Sequence, residues 1–432
     1  MKYSNPCFTM SFVAAFVATV LLSACDRERL ADSVAQQTAV DAKPSAPACI
    51  AEIAPVDYVL PDVQLGDEAT TLAQATSSLA VHRIILIGEQ HDRLDHHLNQ
   101  LEIICRLNGQ GVPLAVGLEA FDQPFQPALD AYIAREIDFV ELLERSEYYS
   151  RWGFDHRLYA PLIKFAWQHN IPLVALNIPR QRSRRIASHG GRLETDDHAF
   201  FPYGLASPGP AYKARVEGFF RLHPQAKDAD LARFVLVQWQ WDQAMGQRAA
   251  RFLASHPTRT LVVIAGSGHV AYADALPHSA LRAARAAGFP LSIGRVLHRN
   301  RTVKKDASDA KTDAHAEHTV MMLNPTYSAQ LPLLRDVVLV SSPLGVPPSG
   351  RLGVFLESVG GDVVVKSLAP KSAAGAAGIQ AGDRIVKVGE QFVSSYLRVK
   401  LALAQTQPAQ KVTVEVLRKG QSKPLRYDVE LH

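Results

Sequence analysis

The sequence predicts an α/β fold, with a mostly parallel sheet and helices on both faces. Two observations carry the prediction. Short, uniformly apolar runs recur between about residues 80 and 345, and longer segments of helical periodicity separate them. A strand that is apolar at every position has no solvent side, so it belongs in a sheet covered on both faces. Alternation of such strands with helices implies crossover connections and parallel pairing.

The strand-like runs are Arg83–Ile87, Pro113–Leu118, Ile171–Leu176, Thr260–Ala265, Pro290–Leu297 and Asp336–Val340. Between them, Leu94, Leu98, Leu101 and Cys105 recur at helical spacing. Leu158, Leu162, Phe165 and Ala166 do the same, and Leu231–Leu253 has the composition of one long helix. Arg299–His318 is charged and polar and reads as a flexible loop. Ser341–Gly350 is a Pro/Gly/Ser linker that marks a domain boundary.

The chain has 432 residues, enough for two or three domains, and its 47% hydrophobic and 20% charged content is ordinary for a soluble globular protein. The formal charge of +4 is small and the basic residues are scattered, so nothing implies a nucleic-acid partner. At the N-terminus, Lys2 precedes the 13-residue apolar run Met10–Leu22. That is short for a membrane span and suited to a secretory signal. The run ends in Leu22-Ser23-Ala24-Cys25, which resembles a bacterial lipobox. The expected organisation is therefore a signal peptide at 1–24, and a lipidated Cys25 followed by a tether and lead-in to residue 74. An α/β domain at 75–345 and a further domain at 346–432 complete it. The lipid would hold the protein on a bacterial membrane facing the periplasm, with Asp26 resembling an inner-membrane retention signal. Cys49 and Cys105 could pair in that compartment. Cys105 lies on a predicted helix, so a buried free thiol is the first expectation.

In open parallel sheets, ligands bind beyond the carboxyl ends of the strands. Gly88-Glu89-Gln90-His91-Asp92 follows the first run, Glu119 the second, Asn177, Pro179 and Arg180 the third, and Gly266-Ser267-Gly268-His269 the fourth. Each glycine allows a sharp turn. Each histidine then falls near a helix start, where the partial positive charge favours neutral imidazole. Neutral imidazoles beside the carboxylates of Glu89 and Glu119 suit a divalent ion held by His91, His269 and Glu119, or general-base chemistry. Of the next two histidines, His97 shares a face with Leu101 and Ile104 and points inward, while His96 faces solvent. Gln238, Trp241, Asp242 and Met245 share one face of the long helix. A buried Asp242 needs a partner, for which Arg180 or a site histidine could serve.

Together, Gly88–Asp92, His97, Gln100, Glu119, Asn177-Ile178-Pro179, Trp241-Asp242-x-x-Met245 and Gly266–His269 resemble the ChaN-like haem-binding lipoproteins over about residues 75–345. That family is implicated in haem or iron uptake. It belongs with the Tiki and TraB proteins and the erythromycin esterases to a group sharing paired Gly-x-x-His motifs, several of them metal-dependent hydrolases. The resemblance implies a haem cleft or, alternatively, a metal-dependent hydrolytic site. Glu89, His91, Glu119 and His269 would form its polar core, with Asn177, Arg180 and Asp242 around them and Tyr272 as a candidate haem contact. Cofacial pairing around haem would imply a homodimer. Relatives carry Gly-Ile-Pro where this chain has Ala275-Leu276-Pro277. The absence of Cys-x-x-Cys-His excludes covalent haem attachment.

Residues 351–432 resemble an HtrA-like PDZ domain, which is small and mainly β. Arg351-Leu352-Gly353-Val354-Phe355 resembles its carboxylate-binding loop, and Ala377-Gly378-Ile379-Gln380-Ala381-Gly382-Asp383-Arg384-Ile385 its most recognisable segment. The expected partner is a peptide or protein C-terminus added to the sheet edge. Leu352, Val354 and Phe355 would line its pocket and Leu401 would close it.

Overall fold

The structure, a computed structural model, describes residues 49–66, 68–221, 227–301 and 334–432. The expected signal peptide, Cys25, Asp26 and residues 302–318 of the expected loop lie outside the described residues, as does the tether up to residue 48.

The α/β sheet contains β1 (Asp62–Leu65), β2 (Glu68–Thr70), β3 (Ile84–Glu89), β4 (Leu114–Asp122), β5 (Leu173–Asn177), β6 (Thr260–Gly266), β7 (Ile293–Asn300) and β8 (Leu334–Ser341). Their order is β2-β1-β8-β7-β3-β6-β4-β5. From β8 to β5 every pair is parallel, whereas β1 runs antiparallel to β8 and β2. The six apolar runs are thus the six parallel strands. Arg299 and Asn300 extend β7 instead of opening a loop, because they pair with Val340 and Ser341. The β1–β2 hairpin, in the stretch read as lead-in, adds an antiparallel edge.

The helices of this part are α1 (Leu72–Leu79), α2 (Leu94–Gly109), α3 (Gln126–Ile133), α4 (Phe139–Arg145), α5 (Tyr148–Arg151), α6 (His156–Gln168), α7 (Arg180–Ser188), α8 (Pro210–Arg221), α9 (Asp228–Ser255), α10 (Ser267–Val270) and α11 (Leu276–Ala286). Side chains alternate across a strand, and the core follows that period. Ile85 and Ile87 pack with α2, α3, α4 and α6, while Ile84 and Leu86 pack with α8, α9 and α11. Both faces of the sheet are covered. A Cβ on Gly246 would lie 2.5 Å from the Ser279 Cβ, so glycine lets α9 cross close to α11. That crossing seats Asp242, one turn earlier, over the end of β6.

Helix α2 departs from its amphipathic pattern: every residue from Leu94 to Ile104 is buried. Residues 49–58 cover the side that the sequence leaves to solvent. Glu102 accepts from the backbone N–H groups of Cys49 and Ile50 at 2.8 and 3.1 Å and from Arg106 at 2.6 Å, and the Tyr58 hydroxyl donates to Asn99. Cys49 and Cys105 form a disulfide, which corrects the expectation of a free thiol. The covering segment brings the two Cα atoms to 6.1 Å, within bonding reach.

The C-terminal domain is a six-stranded antiparallel sheet. Its strands are β9 (Val354–Val359), β10 (Asp362–Leu368), β11 (Arg384–Val388), β12 (Gln391–Phe392), β13 (Lys411–Leu417) and β14 (Leu425–Glu430). Two helices, α12 (Ala373–Ala377) and α13 (Tyr396–Ala404), complete it. The linker is pinned: Leu94 donates to the Leu344 carbonyl at 2.8 Å and Leu344 donates to Asp95 at 3.0 Å. From α13, Leu397 is buried in the core of the first domain, and Arg398 and Ser395 donate to Glu144. The domains therefore share a packed joint.

The disulfide closes a loop of 56 residues in sequence separation. Reducing it, or replacing Cys49 with Ser, should cost about 2–4 kcal/mol. Urea denaturation with and without reductant measures this, and coincident curves would contradict it.

Candidate functional site

The strand order places β3, β6, β4 and β5 side by side, so the residues leaving their carboxyl ends meet. Glu89 ends β3, Gly266 ends β6, Asn177 ends β5, and Glu119 lies where the β4 register slips between Leu118 and Asp122. Such an irregularity re-aims a side chain, here towards the neighbouring strand ends. The expected convergence of the β3 and β6 motifs is observed: His91, Glu119, Asn177, Arg180 and His269 line one cleft of about 530 Å³.

Two carboxylate–imidazole pairs face it. His91 Nδ1 donates to Glu89 Oε1 at 2.9 Å, and His269 Nδ1 donates to Asp242 Oδ1 at 2.9 Å. A carboxylate only accepts, so the Nδ1 hydrogen is fixed in both rings. Glu89 is 3% exposed and is further satisfied by Gln100 at 2.8 Å and by the Tyr159 hydroxyl, with His97 Nδ1 3.4 Å away. Asp242 also accepts from the Tyr212 hydroxyl at 2.6 Å, so a site histidine, not Arg180, is its charged partner. Glu119 accepts from the Gly266 N–H at 2.7 Å, and its other oxygen lies 3.5 Å from His269 Nε2. Gly266 is needed for this closeness, since a Cβ there would stand 3.1 Å from His91 Nε2.

These contacts shift the titrations. Burial works against the charged form of Glu89, but His97, His91 and Tyr159 outweigh it and hold the carboxyl at about 2. Burial also disfavours a charged His269, yet Asp242 and Glu119 raise it to about 9, so the ring is imidazolium at neutral pH. His91 is raised too: its burial is outweighed by its bond to Glu89 and by the charge of Glu119.

The rest of the wall is aromatic and basic. Trp152 and Phe154 contact the His91 ring at centroid distances of 4.7 and 5.0 Å, Trp241 lies 6.3 Å from His269, and Arg151 and Arg180 line the cleft with Asp122, Glu147, Gln181 and Gln238. Trp152, Phe154, Arg151, Tyr159 and Tyr212 escape the sequence reading. The aromatic run Tyr148-Tyr149-Ser150-Arg151-Trp152-Gly153-Phe154 is the signal that could have found the first three.

Some expectations are corrected. Tyr272 does not line the cleft; it is buried under Arg215, whose guanidinium sits 3.9 Å over its ring. His96 does not face solvent. It is buried and stacked on His298 at 4.1 Å, its Nδ1 accepting from the Gln90 N–H. His97 points inward as expected and donates from Nε2 to the His91 carbonyl. No group of three or more His, Cys, Asp or Glu among the described residues could hold a metal ion. The divalent site expected at His91, His269 and Glu119 is not assembled, since one Glu119 oxygen is committed to backbone and the other faces an imidazolium. Ala275, where a glycine was expected from the resemblance, sits at φ −96°, outside the left-handed region that favours glycine.

In the C-terminal domain a groove of about 580 Å³ is lined by Leu352, Gly353, Val354 and Phe355, as expected. Val399 and Leu403 close it, not Leu401, which points to the first domain and packs against its core.

The architecture is that of an α/β protein with paired carboxylate–imidazole groups at its strand ends, joined to a small antiparallel β module that carries a groove. Residues 75–279 match the family described as haem-binding uptake, Tiki superfamily, ChaN, and residues 350–429 match the PDZ domain. The first region is thus similar to that ChaN-like family and the second to PDZ domains. Among solved structures, ChaN of Campylobacter jejuni with cofacial haem is 18% identical over 65% of this chain and 96% of its own, with a TM-score of 0.47. The HtrA-type protease AlgW with a decapeptide is 28% identical over 19% of this chain and 30% of its own, with a TM-score of 0.18. A serine endoprotease from Yersinia pestis is 26% identical over 19% and 28%, with a TM-score of 0.17. The chain spans less than a third of these two proteases. No curated protein matches the chain.

The two shifted groups predict opposite pH limbs. Glu89 is depressed from 4.5, so its contribution is present above that value and is lost as pH falls towards 2. His269 is raised from 6.5, so its contribution is complete below that value and is lost as pH rises through about 9. Urea denaturation across pH should show both declines. Asp242→Asn should flatten the alkaline one, and an unaltered alkaline limb in that variant would refute the assignment.

Proposed function

We propose that this chain is a membrane-anchored lipoprotein that binds haem on the periplasmic side in haem or iron uptake, and that its PDZ domain docks a peptide or protein C-terminus. The observation that carries the haem reading is the cleft itself. Two imidazoles, each fixed at Nδ1 by a buried carboxylate, line a space walled by Trp152, Phe154, Ile178 and Trp241. A carboxylate behind an imidazole orients the ring and raises its basicity, as is common behind metal-ligating histidines. Haem iron accepts axial imidazole. His91, whose side chain is 27% exposed against 10% for His269, is the first candidate for that ligand. The aromatic wall suits a flat macrocycle, and Arg151 and Arg180 suit its propionates. A second copy facing the open side would make the haem-bound form a homodimer.

Anchoring rests on the lipobox at Cys25. The disulfide supports an oxidising compartment outside the cytoplasm, and Asp26 favours the inner membrane. Gly353 supports the docking reading. It has φ +70°, and a Cβ there would lie 2.7 Å from the Ser372 Cβ, so only glycine shapes the loop meant to receive a carboxylate.

Absorbance titration with hemin should show saturable binding. His91→Ala should weaken it at least tenfold, about 1.4 kcal/mol, while Tyr272→Phe leaves it unchanged. Absence of saturable binding by the parent protein would defeat the haem reading. Metabolic labelling with palmitate should mark the protein, and Cys25→Ser should abolish the label. Equal labelling of both would defeat the anchor.

A further inference from the structure

The cleft and the peptide groove share a wall. Residues 147–155 run between them, and their side chains divide. Glu147, Ser150, Arg151, Trp152 and Phe154 line the cleft, whereas Tyr149, Gly153 and Asp155 line the groove. From Trp152 to Asp155 the residues line the cleft and the groove in turn. Nothing lies between: the residues next to Gly153 are the two rings that touch His91. The stretch opens on a left-handed residue, Glu147 with φ 51°, and bends again at Gly153 with φ 85°. A positive φ is uncommon for a residue with a side chain, so Glu147 is held there by its surroundings.

The opposite side of the groove cannot retreat freely. Helix α13 lines it with Val399 and Leu403, but its other face is clamped to the first domain through Leu397, Leu401 and the Arg398–Glu144 ion pair at 2.9 Å. An occupant that needs room therefore presses on the wall at Gly153 and Tyr149. The wall can yield only towards the cleft, where Trp152 and Phe154 already contact His91.

We propose that the peptide groove is a composite site, completed by Tyr149, Gly153 and Asp155 of the α/β domain, and that its occupancy weakens ligand binding in the histidine cleft by displacing the 147–155 wall. The coupling rests on the haem and peptide readings above. It makes the PDZ domain a release device: docking on the C-terminus of a partner protein loosens the cargo. Linkage requires the reverse effect to be equal.

The test uses hemin and acetylated decapeptides ending in Ala, Val, Leu or Phe. Peptide affinity is measured by calorimetry and hemin affinity by absorbance. With the tightest peptide at saturation, the hemin Kd should rise at least fivefold, and the peptide Kd should rise by the same factor with hemin bound. Gly353→Ala should lose peptide binding and with it the peptide's effect on hemin. If no peptide binds, the groove reading falls and the coupling with it. If hemin does not bind, the cleft reading falls instead. If both bind but the Kd changes by less than fivefold or tightens, the coupling alone is overturned. It is equally overturned if Gly353→Ala retains the peptide's effect on hemin.

Discussion

Three carboxylates, Glu89, Glu119 and Asp242, lie buried at the ends of neighbouring strands, and the rest of the site is arranged to make that tolerable. An unpaired buried carboxylate costs several kcal/mol or gives up its charge. Each of these has its partners: His91, Gln100 and Tyr159 for the first, the Gly266 N–H and His269 for the second, His269 and Tyr212 for the third. The partners come from α2, α6, α8, β6 and α10, so the pairing holds only if strand order and helix crossing are both correct. Gly246 and Gly266 are two points where neighbouring groups come close to the backbone: a Cβ would stand 2.5 Å from Ser279 at the first and 3.0 Å from His91 at the second.

The strands were legible in the sequence because their chemistry is local. A run such as Ile84-Ile85-Leu86-Ile87 is apolar on both faces whatever its neighbours. The candidate residues were legible for a related reason: ligands gather at the carboxyl ends of parallel strands, and the residues after each run are plain in the sequence. What the sequence did not contain was the identity of neighbours. His96 looks like an outward residue of an amphipathic helix until β7 places His298 against it. Cys105 looks like a helical thiol until residues 49–58 fold over α2. Trp152 and Phe154 follow no strand, and at that position they look like packing.

Helix α13 shows the same limit in another form. Leu397 and Leu401 lie one turn apart and form one apolar stripe; Val399 and Leu403 form another. A helix with two such stripes can serve a groove with either one. Only the first domain, which takes Leu397 and Leu401, leaves Val399 and Leu403 to line the groove. Within the PDZ segment alone, Leu401 is as good a choice as Leu403. The error is a property of domain joints, where a surface that would be solvated in isolation is buried by another part of the chain.

The distribution of charge in the cleft carries a last consequence. Its lining holds Glu119, the His269 imidazolium and His91, and also Arg151 and Arg180 with Asp122 and Glu147, while Glu89 and Asp242 stand behind the two rings. Glu89 and Asp242 are consumed in holding the two rings, and Glu119 is bound by backbone and His269. The cleft therefore offers oriented rings more than free acid, and one of its two guanidinium groups, Arg151, is itself paired with Glu147 and Asp122. Under the proposed reading His91 would hold the haem iron, Trp152, Phe154 and Trp241 would flank the ring, and Arg151 and Arg180 would meet its carboxylates. A small hydrated cation needs more converging donors than this, and among the described residues no three of His, Cys, Asp or Glu come together to supply them.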